Sequence, residues 1–200
     1  MTPGEPLPPD SQISPDSPDD ERIRSALAHP DDEPTYQPIV LAEPDPEWPR
    51  VFEREAARVR AILGERVLRL EHIGSTSVPG LPAKPLIDML LVVADSGAED
   101  DYLTDLLAAG YTLRIREPRW YEHRVVRGPG APINMHVVSS GCPEIDRWLF
   151  FRDRLRADPA ACDRYAAAKR QLAQQRWKYV QHYANAKSTI VESILGTPDP

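Results

Sequence analysis

Cysteine is scarce in this sequence. The 200 residues contain two, Cys142 and Cys162, too few for a disulfide scaffold and without the spacing of a zinc site, so both are expected as reduced thiols. Cys142, just ahead of a helix starting near Pro143, reads as an inert surface thiol. Long apolar runs are missing as well. No stretch approaches the roughly 18 residues of a membrane span, and no basic segment leads into an apolar core near the N-terminus. Membrane insertion and secretion are therefore not expected, and the cytoplasm is the expected location. An excess of basic charge is also lacking: the formal net charge is −7. That charge is unevenly placed. Residues 1–36 hold eight prolines and nine acids against two arginines, which accounts for all of it, and the remainder carries 22 charges of each sign. A neutral domain favours neither nucleic acid nor a membrane surface as a partner.

Residues 1–36 also have few large apolar side chains and no sustained period, the composition of a disordered, acidic, proline-rich tail. Its short apolar run at 23–27 is the candidate for partner binding, against the plainer reading of a dispensable extension. Residues 37–197 are then expected to form one domain, long enough to bury a core.

The periodicity of that domain predicts alternating element types. "PDPEWPRVFEREAARVRAILG" places Phe52, Ala56, Val59 and Leu63 on one helical stripe, with Gly64 as a stop. "RVLRLEHI" and residues 86–93 read as strands, and "GAEDDYLTDLLAAG" as an acid-led helix closed by Gly110. "YTLRIR", "WYEHRVVRG" and "INMHVVS" predict three more strands. From Pro143 onward the pattern is helical, in three helices, the first two broken near Asp158 and Pro159. The order implies an α+β fold: a mixed β-sheet covered by helices, with a C-terminal helical layer.

The chemistry gathers in "HIGSTSVPGLPAKPLIDMLLVV", residues 72–93. Gly74 allows a tight turn with close backbone approach, and Ser75, Thr76 and Ser77 offer hydroxyls to a phosphate. The Gly-x-x-x-x-Gly-Lys spacing of a P-loop is not present. Asp88 stands among apolar strand residues, where a carboxylate requires a cation, a metal or a donor network. It is a candidate ligand for Mg²⁺ or Mn²⁺ bridging a phosphate, and alternatively the partner of Lys84 or Arg124. By strand alternation Asn134 and His136 share one face of "INMHVV", making His136 a candidate metal ligand or acid–base group. His72 is a further acid–base candidate, and Lys84 and Arg124 are candidates for binding phosphate. Tyr165 with Lys169 and Tyr183 with Lys187 repeat a helical spacing of four, which reads as packed tyrosines beside solvated lysines. Trp120, Trp148 and Trp177 read as core or layer contacts.

"EHIGSTSVPGLPAKPLIDMLLVV", "PDPEWPRVFEREAARV", "INMHVV" and the helical C-terminal segment resemble the GrpB family over roughly residues 38–196. The resemblance implies a fold similar to the polymerase β-type nucleotidyltransferases, with phosphates at the Gly74–Ser75 turn and Asp88 as the first carboxylate of an Asp-x-Asp strand motif. A related domain occurs fused to dephospho-CoA kinase in some bacteria. The second carboxylate of the motif would fall on Leu90, which cannot bind a metal. Two functions are therefore expected. One is a metal-dependent enzyme using Asp88, His136 and His72 to transfer a nucleotidyl or related group to a small-molecule acceptor. The other is a catalytically reduced module that binds a nucleotide, a coenzyme A-type ligand or a partner without turnover.

Overall fold

The structure, a computed structural model, describes residues 18–28 and 38–196. The predicted helical stripe forms α2 (Glu47–Leu63), entered where Asp45 accepts the Glu47 amide and left at Gly64. Its buried face is Trp48, Phe52, Ala56, Val59 and Leu63, and each large member contributes about 1.5–3 kcal/mol by leaving water. Strands β1 (Arg69–Ile73), β2 (Ile87–Val93), β3 (Thr112–Glu117), β4 (His123–Arg127) and β5 (Ile133–Ser139) make one five-stranded sheet of order β1-β2-β5-β4-β3. β2 and β5 run parallel in the centre, and the other pairings are antiparallel.

The central strands are buried on both sides, which is why β2 reads as a nearly unbroken apolar run. Met89, Leu91 and Val93 face α2 and α3 (Leu103–Ala108), in the main core with Met135, Val137 and Val126. Leu90 and Val92 face the other way, packing with Ile73 and Val138 against Cys142, Ile145 and Leu149 at the start of α4 (Glu144–Ala157). A third cluster ties the loop residues Val78 and Leu81 to Leu155, to Tyr165 and Ala166 of α5 (Pro159–Ala173), and to Ile194. The α+β class and the C-terminal helical layer are as expected.

Four details differ. Residues 18–26 form a helix, α1 (Pro18–Ala26), within the segment whose composition suggested a disordered tail. Local contacts override the average composition there. Ile23 is buried, Asp20 pairs with Lys178 at 2.8 Å and His182 at 2.9 Å, and Leu27 bridges to Ile115 at the β3 edge. The rest of that tail, 1–17 and 29–36, lies outside the described residues. The last predicted helix is two, α6 (Val180–Ala186) and α7 (Ser188–Leu195), parted at Lys187, whose amide turns back onto the Ala184 carbonyl. β4 begins at His123 because Tyr121 and Glu122 adopt positive φ in the preceding turn. Cys142 is buried in the apolar cluster at the α4 entrance.

Candidate functional site

In a strand, alternate residues share a face. Asp88 and Leu90 of β2 are paired in register with Asn134 and His136 of β5, and His136 is opposite Val125 of β4. Asp88, Asn134, His136, Val125, Arg127 and His123 therefore share one side of the sheet. α4 covers that side over β1 and β2. Beyond it the face opens into a cleft of about 1730 Å³ whose floor includes Asn134 and His136. Trp120 and Trp148 stand beside the floor, α1 forms one wall and the α6–α7 junction another.

Asp88 is half-buried on this face, and its side chain occupies the space a Cβ on Gly74 would need. Gly74 has φ 68° and ψ −174°, a conformation essentially restricted to glycine. The Gly-Ser turn and Asp88 are thus one packing unit. Around the carboxylate the charge is mainly positive. Burial lowers the Lys84 pKa, Asp88 pulls it back up, and the neighbouring Arg127 and Lys187 lower it further. Burial also lowers the Lys187 pKa, opposed by Asp88.

His136 links Asp88 to a chain of polar groups. Its Nε2 lies 3.7 Å from Asp88 Oδ1, and its Nδ1 lies 3.0 Å from His123 Nε2. His123 Nδ1 in turn lies 2.8 Å from Glu117 Oε2. The two imidazoles stack at 5.2 Å between centroids, with Trp148 across both.

Other expected site residues are elsewhere or already engaged. His72 points to the opposite face, stacked on Phe52 at 4.8 Å and bonded to Thr76. Burial lowers its pKa to about 4, with Arg156 and Arg152 reinforcing the shift against Asp88. It is a core histidine because β1 pairs it with Met89 on the α2 side. Arg124 is also on that side, 3% exposed and bonded to Glu99 and Glu122. Thr76 donates to the Leu86 carbonyl and Ser77 to the Gly74 carbonyl at 2.6 Å, so both hydroxyls brace the loop. Ser75 is engaged by the Tyr165 hydroxyl, whose pKa burial raises to about 12.

The expected metal site does not fit. Among the described residues, no cluster of three or more His, Cys, Asp or Glu side chains could hold a metal ion. Leu90 is fully buried among apolar neighbours. Asp88 and one imidazole, with lysines competing for the carboxylate, are a poor donor set for a hard cation that prefers several oxygens.

Some participants were missed. Lys187, expected to be solvated, lies over the Tyr183 ring at 4.7 Å and interacts with Asp88. Lys169 is 2% exposed and donates to the Pro82 carbonyl. Trp120 and Trp148 line the cleft. His123 carried one usable signal: a β4–β5 hairpin turning at Gly128–Gly130 puts His123 and His136 diagonally across two strands.

Residues 38–197 match the model of the family described as GrpB protein. A UPF0157 protein of Halalkalibacterium halodurans is 60% identical over 157 residues, covering 78% of this chain and 80% of that one. The crystal structure of conserved protein GrpB from Enterococcus faecalis has 34% identity and a TM-score of 0.68, covering 78% of this chain and 94% of that one. A dephospho-CoA kinase of Mycolicibacterium paratuberculosis is 34% identical over 176 residues, 75% of this chain but 43% of that protein. The structure of Cid1 in complex with its short product ApU matches at 16% identity and a TM-score of 0.45, covering 64% of this chain and 42% of that one.

Proposed function

The chain belongs to the GrpB family, and on that premise we propose that it binds a phosphate-bearing small molecule of the nucleotide or coenzyme A type in the cleft beside Asp88, without two-metal nucleotidyl transfer. One observation carries this reading. Lys84 and Lys187 both face a single carboxylate, Asp88, with Arg127 close to Lys84, and the amines' lowered pKa values register their burial and, at Lys84, repulsion by the other two cations. An anion entering there relieves that repulsion and accepts charge-assisted hydrogen bonds. The aromatic side chains Trp120 and Trp148 give the cleft a surface on which a flat ring can stack. The similarity to a segment of a dephospho-CoA kinase is the reason for including coenzyme A precursors. Leu90, in the position of the second carboxylate, is the reason for setting metal-dependent transfer aside.

Calorimetric titration with nucleoside triphosphates and coenzyme A precursors, with chelator or with Mg²⁺, tests this directly. Binding is expected in chelator. Lys84→Met should weaken it about 10- to 100-fold, the worth of a charge-assisted hydrogen bond. Asp88→Asn should leave binding equal or tighter, because it removes a repelling charge. Strictly metal-dependent binding that Asp88→Asn abolishes would restore the metal-bridged reading, and silence across the panel would reject a phosphate site.

A further inference from the structure

Glu117, His123 and His136 form a line of hydrogen bonds leading to Asp88, and the protons along it can be assigned. A carboxylate only accepts, so Glu117 Oε2 takes the hydrogen of His123 Nδ1 at 2.8 Å. His123 is 4% exposed, and burial lowers its pKa despite the Glu117 bond, so the ring carries a single proton at neutral pH. Its Nε2 is therefore an acceptor, and the hydrogen in the 3.0 Å contact belongs to His136 Nδ1. With that proton committed inward, His136 keeps Nε2 on its Asp88 side, 3.7 Å from Asp88 Oδ1, in a ring that also lines the cleft. The opposite tautomer of His136 would require His123 to hold two protons, a buried imidazolium beside Arg124. Imidazole in water favours the Nε2–H form. The line of contacts reverses that preference at both rings.

The geometry points to a general base: His136 Nε2 takes the proton of a hydroxyl or amine on a ligand held in the cleft. The ligand's O–H or N–H bond breaks, an N–H bond forms at Nε2, and the electron pair stays on the ligand atom. Asp88 stabilises the imidazolium so formed. Glu117 and His123 are positioning residues, because they fix the tautomer that leaves Nε2 unprotonated. The presence of a ligand rests on the function proposed above. The proton assignment does not.

The test uses the full chain labelled with ¹⁵N at histidine, without ligand, near pH 8, where neutral imidazole tautomers are read from long-range ¹H–¹⁵N couplings. His123 and His136 are both expected as Nδ1–H with Nε2 unprotonated. Glu117→Ala removes the acceptor that holds the His123 proton. His123 should then revert to Nε2–H and donate to His136 Nδ1, switching His136 to Nε2–H two residues along the line. Glu117→Gln should preserve the wild-type pattern, because its amide oxygen still accepts. Wild-type His136 found as Nε2–H, or a His136 tautomer unmoved by Glu117→Ala, would overturn the assignment. Either result stands apart from the calorimetric outcome for phosphate ligands.

Discussion

Replacing Gly74 with alanine should destabilise the protein by about 2–6 kcal/mol, and the cost has two separable parts. The backbone at Gly74, with φ 68° and ψ −174°, is strained for any residue with a Cβ by about 1–3 kcal/mol. The added methyl also falls within contact of Asp88 Oδ2 and 2.9 Å from Asp88 Cβ. The carboxylate oxygen can rotate, but Cβ is fixed by a backbone held in the sheet and cannot swing away, and overpacking of this kind costs about 1–3 kcal/mol more. A domain with roughly 5–15 kcal/mol in hand would lose a large fraction of its stability. Urea denaturation followed by circular dichroism measures the change. Repeating it in an Asp88→Gly background isolates the second part, since that variant removes the opposing atoms and should reduce the cost of Gly74→Ala to the backbone strain alone. Equal costs in the two backgrounds, within about 0.5 kcal/mol, would refute the claim that Asp88 and the turn are one packing unit. A cost below about 1 kcal/mol in the wild type would refute the strain as well.

His72 should make stability depend on pH in a narrow window. Its folded pKa of about 4 lies below the ordinary 6.5, so the unfolded chain takes up a proton that the folded chain refuses. Stability is then complete above pH 6.5 and declines towards pH 4, by about 1.4 kcal/mol per pH unit and up to about 3 kcal/mol. His72→Gln should flatten the urea midpoint between pH 7 and 5, and an unchanged slope would remove His72 as the cause. Asp20 anchors α1 through Lys178 and His182. Asp20→Asn should weaken docking of this cleft wall by about 1.5–3 kcal/mol, read as a tenfold or greater rise in tryptic cleavage at Arg22 or Arg24. Cleavage at the wild-type rate would mean that the apolar contacts of Ile23 hold the helix unaided.

What the sequence determined by itself is the part governed by short-range pattern. The helical stripe of α2, the five strands and the Gly-Ser turn follow from spacing and from residue types that accept few backbone conformations, as with Gly74. The chemical anomaly of Asp88 was also legible, because an acid in an apolar strand demands a partner wherever the strand lies.

Which partner Asp88 receives was decided by tertiary structure. Sheet order and register place His136 beside it and carry His72 and Arg124 to the opposite face, a choice that alternation within one strand cannot make for its neighbours. The helices returning from the C-terminus bring Lys187 to Asp88 and Tyr165 to Ser75, contacts between residues about a hundred positions apart. Burial then converts these juxtapositions into chemistry. It keeps His123 neutral, lowers the pKa of the lysines around a lone carboxylate, and turns two histidines with ordinary sequence surroundings into a directed line of protons. Folding also gave part of the acidic N-terminal stretch a helix and a place on the cleft wall, because Ile23 and Asp20 met complementary surface that composition could not foresee.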